Sequence, residues 1–126
     1  MSLTPLRIVY ADRSYDSGPI FADLSKNVVE ALEEVFAGWN AGSGREWPGF
    51  LSAKTRSLSV GDFVKIDADW FQCNSFGWKL VDEVYVVEWL EEFDKRLAEA
   101  EATSKWPIFP WSIQSRMVDE KLLPDM

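Results

Sequence analysis

The side chains that usually carry enzyme chemistry are few in this sequence. Its 126 residues contain no histidine and one cysteine, Cys73. Histidine is the usual general base near neutral pH and a common metal ligand, so Ser-His-Asp, Cys-His and histidine-metal sites are excluded. Cys73 falls within a predicted strand and has no imidazole to lower the pKa of its thiol, so it reads as a buried structural residue. We therefore predict a protein without catalytic residues, metal or cofactor.

Carboxylates offer a remaining route to a metal site. Asp62, Asp67 and Asp69 lie close together in the sequence, and Asp82 is followed by Glu83. The segment after Asp67 lacks the oxygen ligands and the closing glutamate of a calcium loop, and aspartate is favoured in turns. Turn-forming aspartates are the interpretation we prefer, and a carboxylate-metal hydrolase is kept as an alternative.

The net charge and the positions of the glycines indicate which classes of binding partner to expect. The net charge is −8, and the segment 82–101 holds eight acidic and two basic residues. Phosphate backbones and anionic membranes attract the opposite sign, so we expect neither nucleic acid nor membrane as a partner. Gly42 and Gly44 follow a predicted helix rather than a strand, which argues against a phosphate-binding loop.

The start of the chain predicts its compartment. Residues 1–10 lack the charged start and apolar run of a signal peptide, and no segment approaches the roughly 20 apolar residues that span a bilayer. A single cysteine allows no intrachain disulfide. We expect a cytoplasmic protein.

Hydrophobic periodicity predicts an α+β fold in the order β-α-β-β-β-α. An apolar, β-branched run predicts a first strand at Leu6–Ala11, and apolar residues from Leu24 to Trp39 recur at helical spacing. Residues 40–56 read as a long irregular loop. A three-stranded meander over residues 58–81 follows, and then a second amphipathic helix from Val86 to about 102.

These elements predict one domain and a tail. We expect an antiparallel sheet of about four strands over residues 1–103, with both amphipathic helices on one face. Residues 104–126 form an aromatic and amphipathic tail, in which prolines exclude a helix through the aromatic part and Ser112–Leu123 is helical. The tail is expected to dock on its own domain, or to form a homodimer with a second copy.

The acidic helix is one candidate binding surface. Glu88, Glu91 and Glu92 are its central carboxylates. They could attract a basic partner or imitate nucleic acid before a DNA-binding protein. The alternative is that they are simply the solvated face of the helix.

Tryptophans supply the other candidates. Trp47 lies in the glycine-rich loop beside Arg45 and Pro48, and Trp106 and Trp111 bracket the proline-containing tail segment. Each could be a contact anchor for a partner, because large aromatic side chains dominate the energetics of protein interfaces. Burial of Trp47 beneath its own loop is the alternative.

Two short segments carry a resemblance to a known family. The run Ser57–Val64, SLSVGDFV, and the run Cys73–Trp78, CNSFGW, are similar to motifs of the YodL-like group of small bacterial proteins. The resemblance covers roughly residues 28–82, and the chain departs from it in having Arg56 where histidine is common and Trp70 where tyrosine is common. Proteins of this group are typical of plasmids and phages, so the resemblance implies a mobile-element origin and assigns no site.

Together these features predict a non-enzymatic interaction protein of a bacterial mobile element, acting on a protein partner. Two alternatives come from other classes: an acidic inhibitor that occupies a DNA-binding site, and the carboxylate-metal hydrolase.

Overall fold

A computed structural model describes residues 3–122 of the chain. The strands are β1 (Thr4–Val9), β2 (Ile20–Ala22), β3 (Phe63–Ile66), β4 (Asp69–Asn74) and β5 (Gly77–Val81). The helices are α1 (Val28–Gly38), α2 (Pro48–Ala53), α3 (Glu83–Thr103) and α4 (Pro110–Lys121). The last residue of the predicted tail helix, Leu123, lies outside the described residues.

The strands form one antiparallel sheet in the order β2-β1-β3-β4-β5. The predicted meander is present as β3, β4 and β5, and β1 joins it in the same sheet by pairing with β3. The α+β class with an antiparallel sheet is therefore confirmed. The sheet has five strands rather than about four, because the three-residue β2 also pairs with β1. A strand of three residues is too short to show a recognisable alternation of apolar and polar residues in the sequence.

The helices lie on opposite faces of the sheet, so the predicted placement of both on one face is wrong. Leu6, Ile8 and Val64 pack with α1 in one buried cluster. Val9, Phe63 and Trp70 pack with α3 and α4 in a second cluster. The physical reason is that successive strand residues point to opposite faces, and here both sets are apolar.

The helix starts are set by side chains that cap free amides. Asn27 accepts hydrogen bonds from the amides of Val29 and Glu30, so α1 begins at Val28, four residues after Leu24, the first residue of the predicted apolar stripe. Asp82 accepts from the amide of Tyr85 and begins α3 three residues before the predicted start at Val86.

The loop predicted over residues 40–56 contains the short helix α2. Pro48 is its first residue, where a missing N–H costs nothing because that amide has no partner within the helix. Among residues 3–122, no helix combines the length and the apolar character needed to cross a membrane.

Candidate functional site: an exposed aromatic strip beside a buried ionic cluster

Three large aromatic side chains are exposed on the segment that leads from the end of α3 into the first turn of α4. The exposed fractions are 80% for Trp106, 60% for Phe109 and 63% for Trp111. We call these three residues the aromatic strip. Large aromatic side chains are costly to leave in water, and a cluster of them on one short segment marks a contact surface more often than a single exposed residue does. The strip is thus the leading candidate for a binding site.

The backbone under the aromatic strip is held in place. The Ser104 hydroxyl donates to the carbonyl of Trp106 at 2.9 Å and accepts from the Trp106 amide at 3.1 Å. The Ser112 hydroxyl donates to the Phe109 carbonyl at 2.7 Å. Pro107 and Pro110 restrict the backbone between these points. A partner would therefore meet a largely pre-organised segment, which reduces the entropy lost on binding.

The rings of Phe109 and Trp111 lie nearly parallel, with centroids 6.3 Å apart and planes inclined by 28°. Trp111 is in the first turn of α4, whose later residues Met117 and Val118 are buried in the second core cluster. The helical part of the tail therefore packs on the domain, whereas its aromatic part is exposed.

A buried ionic cluster lies beside Trp111. Asp62 is fully buried and accepts two hydrogen bonds from the Arg56 guanidinium, at 2.7 and 3.0 Å. The amides of Ala11 and Ser59 donate to the same carboxylate at 2.9 Å each, and the Gln114 side-chain amide donates at 3.0 Å. Every oxygen of this buried charge thus has donors, which is the condition for keeping it inside a protein.

Arg56 connects this carboxylate to three other groups. Its guanidinium carbon lies 4.0 Å from the centre of the Tyr10 ring, and its Nη2 lies 3.3 Å from Asp12 and 3.2 Å from the Gln114 oxygen. The Tyr10 hydroxyl in turn donates to the Arg56 carbonyl. We call Tyr10, Asp12, Arg56, Asp62 and Gln114 the Arg56 cluster. It joins the end of β1, the start of β3 and α4, the helix on which Trp111 is carried.

The surroundings of the Arg56 cluster raise the pKa values of Asp62 and Tyr10. Burial raises the pKa of Asp62, and the Arg56 guanidinium and the amides of Ala11 and Ser59 oppose that rise. Burial also raises the pKa of Tyr10 to about 12, with the nearby Asp62 charge adding to the shift. The Tyr10 phenol, which is protonated at neutral pH in any case, therefore stays protonated further into the alkaline range and keeps its hydrogen bond to the Arg56 carbonyl.

Trp47, predicted as a partner anchor, is half-buried within its own domain. Its ring meets Trp39 edge-on, with centroids 6.4 Å apart, and covers Gly38 of α1. The structure therefore gives this side chain an intramolecular role, and it lies on the face of the sheet opposite to α3 and α4.

The three predicted carboxylates of α3 differ in their surroundings. Glu88 and Glu91 are exposed. Glu92 is half-buried and forms ion pairs with Arg96 at 2.8 Å and Lys121 at 3.3 Å. Glu92 thus serves to hold α4 against α3, which leaves Glu88 and Glu91 available to a partner.

The aspartates considered for a metal site do not converge. Asp62 precedes β3 and is buried, whereas Asp67 and Asp69 flank the turn at the other end of that strand and are exposed. Asp67 adopts φ 54° within this turn. Within residues 3–122, no group of three histidine, cysteine or acidic side chains is placed to hold a metal ion.

Cys73 is buried in β4 on the face covered by α1. Burial raises the pKa of its thiol to about 12, with Asp62 and Glu33 adding to the shift. Its thiolate fraction at neutral pH is therefore very small, and its reactivity is low.

Comparisons with known proteins give no relatives: no family model, no curated protein and no solved structure matches the chain.

Sequence reasoning named Trp106 and Trp111 but missed Phe109 and the Arg56–Asp62 pair. The separation of six residues between Arg56 and Asp62, flanking the run SLSV, was the signal available in the sequence.

Proposed function

We propose that this chain is a protein-binding module whose contact surface is the aromatic strip. The observation that carries the proposal is the exposure of Trp106, Phe109 and Trp111 on a backbone fixed by hydrogen bonds. Within residues 104–122, α4 is anchored to the domain through Met117, Val118 and Leu122, so the three exposed rings are not what holds it in place. The partner is a protein with an apolar pocket or groove able to receive them.

The energetics agree with a binding role. Each aromatic side chain can bury about 150–250 Å². Truncating an interface hot spot of this type to alanine typically costs about 2 kcal/mol or more of binding free energy. Three such rings on one segment are enough to dominate a standard-sized interface, even after the entropy cost of association.

The test is affinity capture from the native host with matched baits. One bait is the wild-type chain, the second carries Trp106→Ser, Phe109→Ser and Trp111→Ser, and the third carries Phe21→Ser. Phe21 is a suitable control because it is 63% exposed but lies on β2, at the other side of the sheet. We expect the wild type and the Phe21→Ser bait to retain a protein that the triple variant loses.

A specific protein that binds all three baits equally would refute the role of the aromatic strip. A folded triple variant, checked by circular dichroism, is the condition for the comparison. Identification of the captured protein also tests the proposed mobile-element origin, since that origin predicts a partner encoded by, or defending against, a plasmid or phage.

A second candidate function is an acidic inhibitor of a DNA-binding protein. The observation that favours it is the exposure of Glu83, Glu88 and Glu91 along the first half of α3. Carboxylates near the middle of the helix are neutralised by ion pairs, because Asp94 pairs with Arg13 and Glu92 with Arg96. Capture that is lost with Glu88→Gln and Glu91→Gln, and kept with the triple aromatic variant, would favour this candidate.

A further inference from the structure

We infer that the free edge of β5 pairs with β5 of a second copy of this chain. The strand is the last in the sheet order, and within the described residues its ladder partner is β4. An edge strand presents unpaired N–H and C=O groups that can bond to another strand. This surface is separate from the aromatic strip, so the inference does not depend on the proposed function.

The geometry of the β4–β5 hairpin determines which backbone N–H and C=O groups of β5 point away from β4. A two-residue turn connects β4 to β5, and Asn74 pairs with Gly77 across it. Such a turn is closed by a hydrogen-bonded pair, and bonded and non-bonded pairs alternate along an antiparallel ladder. Trp78 and Leu80 therefore turn their N–H and C=O groups away from β4, toward the open edge.

The two edges of the sheet differ in protection. β2 has three residues and follows Gly18 and Pro19, which makes it a poor template for pairing. β5 has five residues and contains no proline. Its one charged residue, Lys79, does not protect the edge from pairing with another strand. The Lys79 ammonium group lies 5.0 Å from the centre of the Tyr85 ring, on the face of the sheet covered by α3.

Apolar side chains accompany the unprotected edge. Phe76, in the turn, is 85% exposed, and Leu80, on the strand, is 67% exposed. Leu80 lies on the same face as Trp78, which is half-buried against Phe36. The open hydrogen-bonding groups and the apolar residues thus share one edge, as strand addition requires.

The sequence of β5 allows it to pair in an antiparallel register with β5 of a second copy. A two-fold axis through Trp78 would pair the two Trp78 residues with each other, and Phe76 of each copy with Leu80 of the other. Lys79 would then face Gly77, whereas an axis through Lys79 would place two like charges directly opposite. This register covers the two exposed apolar residues and repeats identically in both copies, as an isologous dimer demands.

Two features predict a weak, salt-dependent dimer. One pair of five-residue strands is a small contact compared with the interfaces of permanent dimers. Each copy carries a net charge of −8, so the copies repel at low ionic strength. Association should therefore strengthen with added salt, and it should be visible only at high protein concentration.

The test combines sedimentation equilibrium up to about 1 mM protein with amide hydrogen exchange measured by NMR. We expect dimer formation at high salt, together with slower exchange of the Trp78 and Leu80 amides as the protein concentration rises. Leu80→Lys and Phe76→Lys should each keep the chain monomeric, and Phe21→Lys, on the opposite edge, should leave the dimer unchanged. Phe76 is in an exposed turn, so its substitution leaves the fold intact.

Three results would overturn the inference. The first is a chain that stays monomeric at about 1 mM in high salt. The second is a dimer in which exchange of the Trp78 and Leu80 amides does not depend on protein concentration. The third is a dimer dissolved by Trp106→Ser and Trp111→Ser but not by Leu80→Lys, which would place the contact on the aromatic strip.

Discussion

Replacing Arg56 with methionine tests whether the Arg56 cluster holds the two sides of the domain together. Methionine keeps an apolar stem to pack on the Tyr10 ring but removes the guanidinium that makes two hydrogen bonds to Asp62. The carboxylate is fully buried, so it would be left as a charge with amide donors alone. Breaking a buried ion pair by deleting one partner typically costs about 3–5 kcal/mol.

The loss can be measured by urea unfolding followed by tryptophan fluorescence. With a denaturant slope of about 1–3 kcal/mol per molar urea for a small domain, the midpoint should fall by about 2 M. Arg7→Met is the matched control. Its ion pair with Asp16 is as short, at 2.7 Å, but exposed, so we expect a loss of less than about 1 kcal/mol.

Acid pH gives a second readout. In Arg56→Met the unpaired Asp62 carboxyl should take up a proton more readily than in the wild type, because burial already raises its pKa. A folded-state pKa above the unfolded value means that protonation favours the folded state as the pH falls. The stability gap between variant and wild type should therefore narrow toward acid pH. An Arg56→Met protein as stable as Arg7→Met at neutral pH would refute this reasoning.

Three further substitutions have defined outcomes. Gly38→Ala should lower the free energy of unfolding by about 1–3 kcal/mol in urea unfolding, because the new Cβ would lie 2.4 Å from the Trp47 ring; a gain would refute this. Asp82→Ala should cost about 0.5–2 kcal/mol in the same assay by removing the cap of α3, and an unchanged midpoint would contradict it. Stability should fall as the pH rises from 9.0 through 12, because the Cys73 thiol ionises first in the unfolded chain. Cys73→Ala should lose less over that range, and an equal loss would exclude this cause.

Sequence periodicity was enough to predict most of the secondary structure. The apolar stripe of α1 and the alternation of the meander strands are local signals, and each became the predicted type of element. Boundaries differed where a capping side chain decided them, as at Asn27 and Asp82. Capping depends on which of several neighbouring polar residues reaches the free amides, and hydrophobic periodicity does not specify that residue.

The placement of the helices was misjudged, although the sequence held a relevant signal. Phe63 and Val64 are adjacent in β3 and both fully buried, which a strand permits only when both of its faces are covered. A run of consecutive apolar residues in a strand thus argues for helices on the two faces. The Arg56–Asp62 pair was missed because Arg56 read as a loop residue and Asp62 as a turn former.

Exposure of the tail rings could not be derived from the sequence. Aromatic residues are usually buried, and the seven tryptophans of this chain look alike in composition. The positions of Trp39, Trp70 and Trp89 in the core depend on long-range packing, whereas Trp106 lies between α3 and α4 and Trp111 lies in the first turn of α4.

Site-specific photo-crosslinking in the native host tests the binding role of the aromatic strip most directly. A benzophenone amino acid is placed at Phe109 in one protein and at Phe21 in another, and both are irradiated in living cells. We predict a discrete crosslinked protein from position 109 that is absent from position 21. Equal crosslinking patterns from the two positions, or none from position 109 with the protein folded and expressed, would contradict the proposal.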